Sequence, residues 1–286
     1  MIIDSHQHFW RYDSQTDAWI TDDMSLLKRD FLPEDLIAEL KANSVDGCIA
    51  VQADQSEKET RFLLELAQCH PEIKGVVGWV DLCSPEIGER LRYFSRFHKL
   101  RGFRHIAQAE LDDRFLMRAD FLRGIAALSE FDFVYDILIY PKQLPAAAEM
   151  VTEFPRQRFV LDHMAKPPIR SAALEPWAAL ISRLARAPNV YCKLSGLVTE
   201  ADWRSWKAED VRPYLDIVME LFGADRVMFG SDWPVCLLAG SYAQVKNLVS
   251  TYASVLPREK QERIFGLNAI DFYKLESKHH GSGPTG

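Results

Sequence analysis

The stretch Met1-Ile2-Ile3-Asp4-Ser5-His6-Gln7-His8-Phe9-Trp10 decides how the chain is read. An apolar pair leads into an acid, then two histidines two residues apart, then two aromatics. Side chains alternate faces along a strand, so His6 and His8 project to one side, roughly 7 Å apart, where two imidazoles can share one ligand. The Ile-Ile-Asp run before them has the character of a buried strand, which puts the pair at that strand's C-terminal end. In parallel α/β architectures this end carries the chemistry.

Outward from this stretch, short β-rich apolar runs alternate with amphipathic ones. Strands are predicted at Ile2 to Ser5, Asp46 to Gln52, Lys74 to Leu82, Arg101 to Ile106, Phe131 to Tyr140, Arg158 to His163, Asn189 to Ser195 and Arg226 to Ser231. Helices are predicted between and after them: Pro33 to Leu40, Glu57 to His70, Pro85 to Phe97, Phe115 to Glu130, Leu144 to Phe154, Pro176 to Ala187, Val211 to Phe222, Tyr242 to Leu256 and Arg258 to Leu275. Eight strand-helix units in about 275 residues are the size of an α/β protein of the (β/α)8 TIM barrel type. A doubly wound sheet is the alternative, but no glycine-rich phosphate-binding signature follows any strand. The expected organisation is a single domain over residues 1–275 with a disordered tail over 276–286, whose His279 and His280 are not counted as ligands. The segment from Phe9 to Asp30 is expected to cover the site as a long loop.

Composition narrows the partners. The 286 residues are 48% hydrophobic, enough for a large core, and the net charge is −7 with basic residues dispersed. Nucleic acid and anionic membranes are therefore not expected as partners. No apolar run approaches bilayer-spanning length, and no basic segment followed by an apolar one opens the chain, so a cytoplasmic location is expected. The five cysteines, Cys48, Cys69, Cys83, Cys192 and Cys236, lie far apart and read as buried, reduced thiols.

Of eight histidines, His105 and His163 also fall at ends of predicted strands, whereas His70 and His98 read as surface residues. The eighth strand runs into Gly230-Ser231-Asp232-Trp233-Pro234, which leaves Asp232 at its mouth. Independent loops would seldom bring three imidazoles and a carboxylate to one end of a barrel.

Together, Asp4 to Trp10, Arg101-Gly102-Phe103-Arg104-His105, Leu161-Asp162-His163, Cys192-Lys193-Leu194-Ser195-Gly196 and Gly230 to Pro234 resemble the amidohydrolase superfamily, and within it the branch of sugar-acid lactonases and pyrone dicarboxylate lactonase. The motifs occur in order along nearly the whole chain. The resemblance implies a distorted (β/α)8 barrel with His6, His8, His163 and Asp232 at its mouth. It also implies opening of a sugar-acid lactone, L-fucono-lactone or a similar aldonolactone, with no obligatory metal. Binuclear members of the superfamily bridge two metals through a lysine or glutamate on a middle strand; here those strands carry Arg104-His105 and Val134-Tyr135-Asp136-Ile137, so a binuclear centre is not expected. His6, His8 and Asp232 remain a donor set for one Zn2+ with an open position.

Opening a lactone requires a nucleophilic water, a polarised carbonyl and a proton for the departing alkoxide. Asp232 is the expected base and acid, and His6, His8, His163 or Arg104 the expected donors to the oxyanion. Trp10, Tyr135 and Trp233, with Trp19 nearby, suit stacking on a sugar ring, and Arg104, His105 and Lys166 suit its polar groups. A dicarboxylate would need several convergent cations, and only Arg104, Lys166, Arg11 and Lys193 can be placed, so a neutral hydroxylated lactone is favoured. Two other readings stay open: a mononuclear zinc decarboxylase or hydratase of the same superfamily acting on unsaturated acids, and a barrel that binds sugar acids without turnover. Self-association is left open.

Overall fold

In the computed structural model, which describes residues 1–275, eight strands form one parallel sheet in sequence order. They are β1 (Ile3–Gln7), β2 (Gly47–Val51), β3 (Ile73–Gly78), β4 (Leu100–His105), β5 (Val134–Ile137), β6 (Phe159–Leu161), β7 (Val190–Leu194) and β8 (Val227–Phe229). Each predicted strand contains or overlaps its observed counterpart. Both faces of such strands are covered, so they read as apolar runs rather than alternating ones. The helices are α1 (Pro33–Ala42), α2 (Glu57–Cys69), α3 (Ile87–Phe94), α4 (Ala119–Leu128), α5 (Leu144–Glu153), α6 (Trp177–Ala185), α7 (Ala208–Phe222), α8 (Tyr242–Ala253), α9 (Arg258–Glu262) and α10 (Asn268–Tyr273). Pro33 occupies the first turn of α1, and Ser241 and Gln244 form a reciprocal capping box on α8. The predicted tail at 276–286 lies outside the described residues. Among the described residues, no helix is long and apolar enough to cross a membrane.

The lumen has two levels. Its lower level is apolar, with Ile3, Ile49, Val77, Val134, Val160 and Met228 packed on Phe272 and Tyr273, so that α10 plugs the bottom. Higher up, the inward positions turn polar: Arg104 and Asp136 are partners in register across β4 and β5, while Lys193 sits beside Met228 across β7 and β8. A register shift on β1 between Asp4 and Gln7 lets Ile3 and His6 both face the lumen despite their odd spacing.

The barrel closes through side chains and loop backbone rather than a long β1–β8 ladder. Ser5 donates to the Phe229 carbonyl (2.6 Å), and the buried Asp4 accepts from the Ser231 amide (2.8 Å) and the Tyr242 hydroxyl (3.1 Å). Beyond the strands, the Asp232 amide donates to the His6 carbonyl (2.8 Å) and the His8 amide to the Trp233 carbonyl (2.7 Å). Burial pushes the Asp4 carboxyl up to about 6 against the pull of its hydrogen bonds from Ser231, His6 and Tyr242. The segment after β1 is a packed loop, bridged antiparallel from Trp10 to Phe31 and carrying a short 3-10 turn at Asp22–Leu27. Three cysteines are buried as expected; Cys83 is partly exposed and Cys69, at the end of α2, is exposed, because the outer face of that helix meets solvent.

Close approach at this seam depends on Gly230, where a Cβ would stand 2.7 Å from the His6 Cβ and 3.0 Å from the Ser195 Cβ. Neither neighbour is the free end of a flexible side chain. Gly230→Ala is expected to lower stability by about 1–3 kcal/mol, as overpacking does, and to displace His6. Denaturant unfolding of the variant checks this, and an unchanged midpoint would disprove it.

Candidate active site

The C-terminal mouth gathers three imidazoles around one carboxylate. Asp232 Oδ1 lies 3.4 Å from His8 Nε2, 3.8 Å from His6 Nε2 and 3.9 Å from His163 Nε2. His6 and His8 meet at their Nε2 atoms, 3.2 Å apart, and the His6 and His163 rings are 4.4 Å apart. All four residues are buried. Two of them owe their placement to unusual backbone. Asp232 has φ of 58°, and His163, Met164, Ala165 and Lys166 form a left-handed turn with φ between 51° and 56°. Such conformations cost about 1–2 kcal/mol per non-glycine residue and persist where packing enforces them. Here Met164 and Ala165 are fully buried, and the Trp177 indole donates to the Met164 carbonyl (2.8 Å).

Partners decide which nitrogens carry hydrogens. His8 Nδ1 faces only the Val51 carbonyl (2.8 Å), so it donates, and Nε2 presents a lone pair to the site. His6 Nδ1 lies 3.1 Å from Lys193 Nζ, which can only donate, and 3.3 Å from Asp162 Oδ1. His163 Nδ1 pairs with the Ser195 hydroxyl (2.9 Å). Burial lowers the His163 imidazole to about 4 and also lowers His6, where Asp162 pulls back and Lys193 adds to the shift. Burial pushes Asp232 up, but His163, His8 and His6 outweigh it and hold the carboxyl below the ordinary range.

Beneath the imidazoles runs a column of buried charge. Lys193 Nζ contacts Asp136 Oδ2 (2.5 Å) and Asp162 Oδ1 (3.0 Å), and the Tyr273 hydroxyl from α10 donates to Asp136 (2.8 Å). Arg104 donates to Asp162 Oδ2 (3.0 Å) and to the Gln52 side chain (3.0 Å) and carbonyl, and lies 3.3 Å from His6 Nε2. Burial raises Asp162, but Lys193, His6 and Arg104 hold it well below the ordinary range; burial raises Asp136 to about 6. Sequence reasoning gave Asp162 and Asp136 no role and treated Lys193 only as a candidate substrate cation. The signal was present, since a charged residue inside a strand covered on both faces must find a partner there.

The structure brings His6, His8, His163 and Asp232 together as expected, with Arg104 below them and Lys166 at the rim. Five of the six expected substrate contacts need correction. His105 alternates with the inward Arg104, so it faces the helices, stacked on Phe115 (4.7 Å) and bonded to Glu110 (2.7 Å). Tyr135 alternates with Asp136 and is buried between Phe121 and Phe159. Trp10 and Trp233 are only 4% and 2% exposed because both pack on Phe31, and Trp10 also meets Trp19. Arg104 reaches the lumen, but Asp162, Gln52 and His6 take up its guanidinium, so it builds the floor instead of meeting a substrate directly.

The donor set fits a divalent ion. Tetrahedral zinc with bonds of about 2.0–2.1 Å needs ligand atoms about 3.3 Å apart. His6 Nε2, His8 Nε2 and Asp232 Oδ1 are 3.2, 3.4 and 3.8 Å apart and form one of two candidate metal-binding groups among the described residues; the other is His6, Asp162 and His163.

A (β/α)8 barrel whose mouth sets three imidazoles around a carboxylate can bind and activate a water there. The chain belongs to the amidohydrolase family, whose profile matches residues 3–275. It is 46% identical over 284 residues, 96% of each chain, to a Burkholderia multivorans protein named L-fucono-1,5-lactonase. It is 37% identical, again over 96% of each chain, to a Burkholderia ambifaria protein of the same name. A crystal structure of a Burkholderia multivorans amidohydrolase with bound zinc superposes with a TM-score of 0.93 at 45% identity, covering 96% of this chain and all of that one.

Two outcomes test the electrostatics. Lys193→Met strands Asp136 and Asp162 and is expected to cost roughly 3–5 kcal/mol, whereas adding Asp136→Leu recovers much of that loss. Urea unfolding distinguishes the two, and equal midpoints for single and double variants would refute the column. Glu59, at the start of α2, accepts the Ala53 and Asp54 amides at the end of the loop that holds Gln52 against Arg104. Burial pushes its carboxyl from 4.5 up to about 8 against those amides. The folded carboxyl thus binds its proton more tightly than the unfolded one, so its contribution is full below 4.5 and is lost as pH rises through 8. Between pH 6 and 8 the thermal midpoint should fall, by the equivalent of about 1.4 kcal/mol per pH unit, and Glu59→Gln should flatten that slope.

Proposed function

We propose that this chain hydrolyses a sugar-acid lactone, L-fucono-1,5-lactone or an aldonolactone of the same kind, to the open acid. The observation that carries this reading is the buried Asp232 carboxylate ringed by three imidazole nitrogens. The full-length likeness to proteins named L-fucono-1,5-lactonase supports the substrate class.

Two atoms accept hydrogen bonds from the attacking water: Asp232 Oδ1 and the Nε2 lone pair of His8. As the water oxygen bonds the carbonyl carbon, its proton passes to Asp232. Held below the usual carboxylate range, Asp232 is ionised at neutral pH and is a weak base. It suffices because the water grows acidic during attack and the lactone is an activated ester. The oxyanion is met by His163, which offers Nε2–H when Nδ1 accepts from the Ser195 hydroxyl. A preorganised donor of this kind is worth about 3 kcal/mol. Collapse breaks the ring C–O bond, and Asp232 returns its proton to the alkoxide. A divalent ion held by His6, His8 and Asp232 would polarise the carbonyl and acidify water at the same place; Asp162 would then accept the His6 Nδ1 hydrogen, as carboxylates behind metal-binding histidines do.

A neutral substrate is favoured over a dicarboxylate because a carboxylate beside each candidate cation balances its charge. Arg104 and Lys193 face Asp162 and Asp136, Lys166 faces Glu200, and Arg11 lies 3.9 Å from Asp30. Proton release with 1,4- and 1,5-aldonolactones, in chelator and again with added Zn2+, tests the reading. Wild type should open L-fucono-1,5-lactone, and Asp232→Asn should lose about 10²–10⁴ in kcat/KM. No turnover by wild type on any lactone under either condition would reject it.

A further inference from the structure

We infer that Lys166 and Glu200 form a polar subsite at the rim that binds the ring hydroxyls of the lactone and selects hydroxylated substrates over bare ones. This rests on the lactonase reading and adds Glu200, on the loop after β7, to the machinery that recognises substrate.

Lys166 is the last residue of the left-handed turn that begins at His163, and its amide donates to the His163 carbonyl (2.8 Å). The turn therefore fixes Lys166 relative to the imidazole. Its ammonium stands 5.3 Å from the Tyr140 ring centroid and 3.7 Å from Glu200 Oε1. The loop carrying Glu200 is held from both sides: the Arg170 amide donates to the Glu200 carbonyl (3.0 Å), and Gly196 lies so close to His163 that a Cβ there would come within 2.7 Å of the ring. Loops after β5, β6 and β7 thus meet on one side of the mouth.

The two side chains remain accessible, at 19% and 23% exposure. At 3.7 Å the contact is an ion pair longer than a charge-assisted hydrogen bond, which leaves ammonium hydrogens and carboxylate lone pairs to spare. A hydroxyl is both donor and acceptor, so adjacent ring hydroxyls match such a pair without any net charge on the substrate. A lone ammonium would instead favour an anion, including the aldonate product. Glu200 balances that preference.

The test compares L-fucono-1,5-lactone with δ-valerolactone, which has the same ring and no hydroxyls, in wild type, Lys166→Met and Glu200→Gln. Each variant is expected to lose at least tenfold in kcat/KM on the hydroxylated lactone, with the loss in KM and kcat within about threefold, while δ-valerolactone changes less than twofold. If δ-valerolactone turnover is too slow to measure, the split between KM and kcat decides alone. Parallel loss on both substrates, loss in kcat, or no change would overturn the subsite while leaving the lactonase reading intact. Failure of wild type itself on L-fucono-1,5-lactone would remove that reading and the subsite together.

Discussion

A lysine ammonium with no exposure to water is the constraint to which the rest of this barrel answers. Removing Lys193 from solvent costs several kcal/mol unless carboxylates surround it, and Asp136 on β5 and Asp162 just past β6 do so. Two carboxylates around one ammonium leave a negative charge over, and Arg104 supplies the second cation. The column therefore holds two cations and two anions and presents the imidazoles with a balanced floor. Tyr273 ties its lower end to the helix that plugs the barrel. Asp232 then stands above it as the added negative charge, which makes it the place where a proton or a cation is drawn.

Against this rigid floor the mouth is built from strained backbone. Five residues with positive φ, His163 to Lys166 and Asp232, carry much of the chemistry and its rim. The strain is offset by burial of Met164 and Ala165, by the indole of Trp177, and by the Asp232 amide bonded to the His6 carbonyl. A side chain delivered in this way has little freedom to relax when its neighbours change, which suits a site whose donors must be in place before the oxyanion forms.

Much of this was legible in the sequence. The eight strands could be read because a parallel sheet covered on both faces writes itself as apolar runs, and the helices because caps and prolines mark their starts. The histidine pair and Asp232 could be read because of where those strands end. Facing was less legible. Neighbouring residues such as Arg104 and His105, or Tyr135 and Asp136, part to opposite sides of the sheet, and only register decides which one looks inward. The aromatic residues misled for another reason: Trp10 and Trp233 follow strand ends, but the loop after β1 folds back and Phe31 covers both. Glu200 carries no motif, and only the path of the left-handed turn brings Lys166 to it.

The seam between the first and last strands joins residues some 225 positions apart by side-chain and loop contacts, such as Ser231 to Asp4 and Asp232 to His6. Loop-closure entropy makes such contacts among the last a chain can form. A partly assembled barrel would therefore carry most of its secondary structure and an active site without Asp232. Turnover in this protein is an all-or-none witness to complete closure, so a chain stalled one strand short would be well structured by spectroscopy and silent by assay.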